Sequence, residues 1–373
     1  MRKSMKKRLM GLLVIALCLV GSCNLATKPH PQQVSLPVIS PPDSTYYNHI
    51  TVSITCETSG ARIYYTLDGS DPDESSNLYS VPFNLSISAI VRARAYKEKW
   101  NPSGITQAEY CNANPAGFVY IAGGAYSMGD VKGNGMLDEL PYHTVILSPY
   151  FIATYEVTQG EWQALMGSNP SAGYGVGNNH PVYLVSWYDV IKYCNLRSIS
   201  EGLTPVYSIL GSSDPVTWGT VPGTNEPNWD AAQLNMDANG YRLPTEAEWE
   251  FASREASSGA YYNYSGSDDI NSVAWYGENS FPQGTQTVGT KSPNALGLFD
   301  MSGNVWEWCW DWYAPYVNET IINPTGPSSG TARVIRGGSW TSGAINCRST
   351  ARNAKPIVVS GAIGFRLCRG IGD

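Results

Sequence analysis

Three helix starts punctuate the long C-terminal part of the chain, and little else in it reads as helix. Thr158-x-x-Glu161 and Thr245-x-x-Glu248 are capping boxes, and Ser186-x-x-Asp189 is a weaker version. In each, a hydroxyl takes an orphan N–H of the first turn while the carboxylate reaches back to the cap. The second helix is expected from about Trp187 to Glu201 and stops at Gly202, whose freedom at positive φ suits a C-terminal cap. Between these starts, glycine-punctuated segments imply short strands and long loops. Residues 118–369 are therefore expected to form an α+β domain of high loop content, with its loops held by side-chain hydrogen bonds, disulfides or ions and its function on them.

At 373 residues and 42 % hydrophobic the chain can bury a sizeable core, and it exceeds one ordinary domain. Charged residues are only 15 %, while Tyr (24) and Trp (12) outnumber Phe (7). Aromatics with a polar handle suit buried hydrogen-bonded networks and contact surfaces alike.

The first residues pair a cationic stretch (Arg2, Lys3, Lys6, Lys7, Arg8) with an apolar run, Leu9 to Val20, too short to span a bilayer. Residues 1–22 read as a secretory signal. Leu19-Val20-Gly21-Ser22-Cys23 resembles a bacterial lipobox, which makes Cys23 the lipidated first residue of a protein held at the cell surface or in the periplasm. Residues 23–44, rich in Pro and polar residues, read as a tether. Removal of the leader takes five of the 24 cations away and leaves 19 against 31 acids, a balance of −12. Such a body lacks the Lys/Arg contacts that release DNA counterions, so nucleic-acid binding is disfavoured, and membrane contact is expected through the lipid anchor alone.

Residues 45–111 are short and strand-like. Thr51 to Cys56 alternates, Ala61 to Thr66 leads into the turn Asp68-Gly69-Ser70-Asp71-Pro72, and Ser86 to Tyr96 alternates again, as in a small antiparallel sandwich. Ile63 to Pro72 with Val91 to Tyr96 resembles the Ig-like module at the C-terminus of chitobiase-type hexosaminidases. The resemblance implies an accessory module without catalytic residues, a spacer or weak contact domain, with glycan binding as the alternative. Six cysteines follow Cys23, and Cys56 is expected to pair with Cys111. His30, His49, His143 and His180 lack zinc-ligand spacing.

From Phe118 onward a series of motifs follows. It runs through Phe118 to Gly124, Met128-Gly129, Tyr155 to Thr158, Pro181-Val182, Val185 to Trp187, Arg242 to Glu250, Gly297 to Met301, Gly303 to Trp308, Arg336 to Trp340 and Ile363 to Arg366. Their order and spacing resemble the sulfatase-modifying-factor family, founded on the formylglycine-generating enzyme. The resemblance implies a C-type-lectin-like fold of mixed α and β with little regular structure. It also implies calcium as a cofactor, with Asp300, Glu307 and the carbonyls of Gly303 and Val305 as candidate ligands, since oxygen donors suit a hard cation. The plain reading beside it has the indoles of this stretch in the core and Asn304 and Glu307 satisfying loop backbone groups.

The family's oxidase converts a protein cysteine with molecular oxygen and resembles a copper enzyme that holds Cu(I) through two cysteines after the Gly-Gly-Ser-aromatic motif. Counting the same offsets from Trp340 gives Ser342 and Cys347. A serine is a poor Cu(I) ligand, so copper is not expected and Cys347 packs, or pairs with Cys309 or Cys368. Cys347 is catalytic only if the chain is an enzyme after all.

Thr, Ser, Gly, Ala, Ile, Val and Asn dominate the stretch between Trp340 and Ile363, and all are reached from an Asn codon by changing adenines alone. That composition, at the end of this fold, resembles the variable region of retroelement-diversified proteins. The candidate ligand-binding residues are Trp340, Thr341, Ser342, Gly343, Ile345, Asn346, Thr350, Asn353, Ala354, Ile357, Val358, Val359 and Ser360, with Trp310, Trp312, Tyr313 and Tyr316 as nearby aromatic anchors. The expected function is recognition of an extracellular protein or glycan by a lipid-anchored surface protein. An oxidase-like enzyme acting on protein cysteines and a glycan-binding accessory lipoprotein are the alternatives.

Overall fold

The computed structural model describes residues 32–255, 261–357 and 361–371. Cys23 and Val358 to Ser360 lie outside them. Two compact units separate: residues up to Ser44 with Thr51–Tyr110, and Cys111–Asp373 with Thr45–Ile50.

The first unit has two antiparallel sheets. One orders Val38–Ser40, Ile50–Thr55 and Phe83–Leu85; the other sets Ile105–Asn112, Ala89–Tyr96, Arg62–Thr66 and Asn77–Leu78 side by side. The alternation read from the sequence is the burial pattern: Val52 and Ile54 on one sheet and Val91, Ala93 and Ala95 on the other point inward. The expected Cys56–Cys111 bridge is not formed. All six described cysteines are free thiols, and Cys56 Sγ instead donates to the carbonyl of Ser35.

In the second unit the three expected helices are Gln159–Met166, Trp187–Ser200 and Glu246–Ser253. Each begins at its predicted cap: Thr158, Ser186 and Thr245 accept from the N–H of Glu161, Asp189 and Glu248. Besides a three-stranded sheet of Gly124–Met128, His143–Leu147 and Ile321–Ile322 and two strand pairs, the unit has two four-stranded sheets. One runs Tyr241–Arg242, Cys368–Arg369, Tyr150–Ala153, Phe118–Ile121; the other runs Arg352–Lys355, Arg333–Arg336, Trp306–Trp312, Ile363–Gly364. Every residue of Trp306–Trp312 is buried, which accounts for the run of indoles there. The mixture of α and β with long connections is the class read from the sequence.

Buried arginines, not disulfides, tie the loops down. Glu248 pairs with Arg242, Glu250 with Arg254 and Arg336, Glu246 with Arg352, Glu307 with Arg366, and Glu139 with Arg348. Their spare N–H groups reach loop carbonyls. Arg366 donates to Ala153, Thr154 and Phe299, and Arg336 to Thr350 and Ala351. Such pairs add little net stability over an apolar core, but losing one partner costs about 3–5 kcal/mol, because a bare charge is left in low dielectric. They hold one loop arrangement against its alternatives.

Candidate functional site

The strand Arg333–Arg336 ends in Gly337 and Gly338, both at positive φ. At Gly338 (φ 77°) an added Cβ would lie 2.6 Å from Cys347 Sγ, so only glycine lets the chain pass the buried thiol. The turn that follows is internally bonded. Ser339 N–H donates to Ser342 Oγ at 3.0 Å, Ser342 N–H returns to the Ser339 carbonyl at 2.8 Å, and Trp340 N–H is fixed on the Asn304 carbonyl at 2.8 Å. Asn304 itself sits at positive φ and accepts the Gln286 N–H at 3.0 Å, the backbone-satisfying role read for it from sequence.

Trp340 is thereby set as a floor. Its indole is only 5 % exposed and lies between Tyr174, with centroids 5.0 Å apart, and Phe281, stacked at 6.1 Å. Tyr174 is 47 % exposed and Phe281 60 %. The two outer rings come from loops that abut so tightly that a Cβ on Gly284 would lie 2.4 Å from the Tyr174 carbonyl carbon. The Trp340 indole N–H is buried and without a hydrogen-bond partner. A buried donor without a partner is uncommon.

The segment after Trp340 alternates in exposure. Thr341, Gly343 and Ile345 are exposed, and Asn346, Thr350, Asn353 and Ala354 are half-buried. Ser342 and Ile357 are not outward: the Ser342 hydroxyl holds the turn, while Ile357 is fully buried in the core and its carbonyl accepts the Trp187 N–H. Of the four supposed anchors, Trp310 and Trp312 are buried and Tyr313 and Tyr316 half-buried. Trp310 and Trp312 stack on Arg333, which lies 3.8 Å over Trp312, and Arg352 lies over Tyr313 and Tyr316. Tyr174 and Phe281 were not legible in the sequence; each sits in a Gly- or Pro-containing loop with no periodicity to mark it.

The donor set does not fit a two-thiolate copper site. Ser342 supplies a hydroxyl already bonded to Ser339, and the Cys347 thiol is fully buried and pushed up to about 12 by desolvation.

For calcium the fit is partial. Glu307 cannot serve as a free ligand. Its two oxygens take Arg366 at 2.7 Å each, and one also takes the Trp249 indole N–H at 2.7 Å. Asp300 differs: Oδ2 accepts the Gly289 N–H at 2.7 Å, whereas Oδ1 is buried and unbonded. Beside it is Glu156, unremarked in the sequence, whose two buried oxygens find no hydrogen-bond partner in another residue. Desolvation pushes Asp300 up to about 6, and burial together with the charges of Asp300 and Glu307 raises Glu156 well above the ordinary carboxyl range. Three acids share the single guanidinium of Arg366. Asp300 and Glu156 have the free oxygens that a hard cation takes.

Residues 105–371 match the model of the sulfatase-modifying factor enzyme 1-like domain. The chain belongs to that family. Residues 41–107 match the chitobiase/beta-hexosaminidase C-terminal domain. Among relatives of the family domain, a chaperone protein LppX of Paenibacillus barcinonensis is 41 % identical over 53 % of this chain and 71 % of its own. A formylglycine-generating enzyme of Streptomyces coelicolor is 31 % identical over 67 % and 88 %. Among solved structures, Treponema denticola variable protein 1 superposes with a TM-score of 0.62 at 36 % identity, over 72 % of this chain and 96 % of that one.

Proposed function

We propose that this sulfatase-modifying-factor-type protein is a lipid-anchored surface receptor, whose family domain recognises an extracellular partner through the ledge Tyr174, Trp340 and Phe281 and the outward residues Thr341, Gly343 and Ile345. The observation that carries this reading is the pair of exposed rings, Tyr174 and Phe281, packed on the buried Trp340 indole. Rigid aromatic area at low conformational cost is where binding energy concentrates. The chaperone name of one relative favours a polypeptide partner over a glycan.

The anchor is the Cys23 lipid, and the Ig-like module stands between it and the head as a spacer. Calcium, where bound, would be held by Asp300 and Glu156 and would supply charge neutralisation in the acid cluster, not chemistry at the ledge. The oxidase reading is disfavoured by Ser342 and by the protonated, buried state of Cys347. The test is an array of extracellular proteins and glycans probed with the secreted chain and with a Tyr174→Ser, Phe281→Ser double variant. Partners lost on ring removal support the receptor. Copper-dependent conversion of a peptide cysteine to aldehyde by the wild-type chain would overturn it.

A further inference from the structure

On another part of the family domain, residues of the 314–327 loop and the end of the strand Trp306–Trp312 line an open cavity of about 450 Å3. That is inside the range of roughly 300–1,000 Å3 in which small-molecule sites fall. Its walls are mainly apolar and aromatic: Trp312, Tyr316, Ile321, Pro324 and Pro327. At the base are two carboxyl groups with different partners. Glu246 is neutralised by Arg352, whose Nε and Nη2 lie 2.8 and 2.6 Å from its oxygens. Asp311 has no such partner. Its Oδ2 accepts the Glu246 N–H at 2.8 Å, and among the described residues it makes no other hydrogen bond and no ion pair. A further cation in the region, Arg333, is stacked 3.8 Å over both Trp187 and Trp312 and donates to the Trp310 carbonyl instead.

Where Glu246, Glu248, Glu250, Glu307 and Glu139 each pair with an arginine, Asp311 in this aromatic cavity makes no ion pair and feels Arg333 only through space. Burial first, and then the neighbouring carboxylates, push Asp311 up to about 8, and an entering cation would favour its ionised form. His143, the remaining titratable group on the wall, packs edge-on against Tyr316 and brings its Nδ1 to the Pro141 carbonyl.

We propose that this cavity binds a small organic ammonium ion, with its charged head on the free oxygen of Asp311 and its apolar body against Trp312, Tyr316 and the prolines of the loop. The lining favours this over an inorganic cation, which would need several oxygen donors where Asp311 offers one. It disfavours an anion, which would face Asp311 directly. The inference is independent of the receptor reading, because the cavity shares no residue with the ledge.

The test is thermal unfolding of the secreted chain in amine-free phosphate buffer with benzylammonium, benzyl alcohol or benzoate. Benzylammonium at ten times its Kd is expected to raise the melting temperature by about 3 °C, and the alcohol and the acid to leave it unchanged. Asp311→Asn, which keeps the acceptor for Glu246, is expected to abolish the shift. So is Val317→Trp, which fills the cavity from its exposed rim and leaves the unliganded melting temperature as it was. No shift with wild type, an equal shift with benzyl alcohol, or a shift that survives both variants would overturn the proposal.

Discussion

Arg366 and Glu307 close on each other through two N–H···O contacts of 2.7 Å, both fully buried, and the same guanidinium carries the carbonyls of Ala153, Thr154 and Phe299. One side chain thus balances Glu307, moderates the neighbouring Asp300 and Glu156, and pins two loops. Arg366→Met leaves three acids with no cation. It is expected to cost about 3–5 kcal/mol in urea unfolding. The loss should shrink as pH falls and the acids protonate, whereas a purely steric defect would be independent of pH.

The parts of this architecture set by local rules were readable in advance, and those set by distant partners were not. Thr158, Ser186 and Thr245 start helices because a cap needs only the next three residues. Glu307 was expected near calcium because its neighbours match a family pattern, yet its partner Arg366 lies 59 positions on. Glu156 has the same difficulty, since its isolation is a property of burial. Tyr174 and Phe281 meet Trp340 from loops whose sequence holds no period. The copper argument was legible because it required one residue type at one position, Ser342.

The acid cluster makes stability depend on pH in an unusual direction. Asp300 in the folded chain titrates near 6 and Glu156 is raised as well, both above their unfolded values, so the folded state binds more protons in that interval. The Asp300 contribution is full below about pH 4 and is lost as pH rises through 6, with a slope of about 1.4 kcal/mol per pH unit for each proton, and that of Glu156 is lost in the same direction. Asp311, up to about 8, extends the decline to that pH. The family domain should therefore show a higher urea midpoint at pH 5 than at pH 8. Asp300→Asn with Glu156→Gln should leave only the decline due to Asp311, and calcium should raise the midpoint at pH 8 in the wild type only.

At the ledge, Tyr174 and Phe281 lie on the surface, so their replacement by serine should move stability by less than about 0.5 kcal/mol. Binding should respond far more. Each ring is expected to be worth about 2 kcal/mol or more to the partner, a loss of roughly thirtyfold in Kd for either single variant. Trp340→Phe keeps a ring beneath them while trimming its area and removing the indole N–H, so its loss in affinity should be smaller than that of either outer-ring variant. Surface plasmon resonance on a partner recovered from the array reads all three; equal affinities for wild type and the ring variants would place recognition elsewhere on the head.

The turn at Ser342 can be tested by chemistry that the wild type lacks. Ser342→Cys exchanges the acceptor for Ser339 N–H for a weaker one, at a cost of about 1 kcal/mol, and places a second thiol at the offset that the family's oxidase uses. Wild type is expected to retain no cuprous ion after dialysis against a Cu(I) chelator, and the variant to retain it. Gly338→Ala tests the other side of the same turn. An alanine Cβ would sit 2.6 Å from Cys347 Sγ at a positive φ, and unfolding should lose about 2–3 kcal/mol. Adding Cys347→Ala removes the clash but not the backbone strain, so rescue should be partial. Complete rescue would mean that the thiol alone demands glycine here, and no rescue would mean that φ alone does.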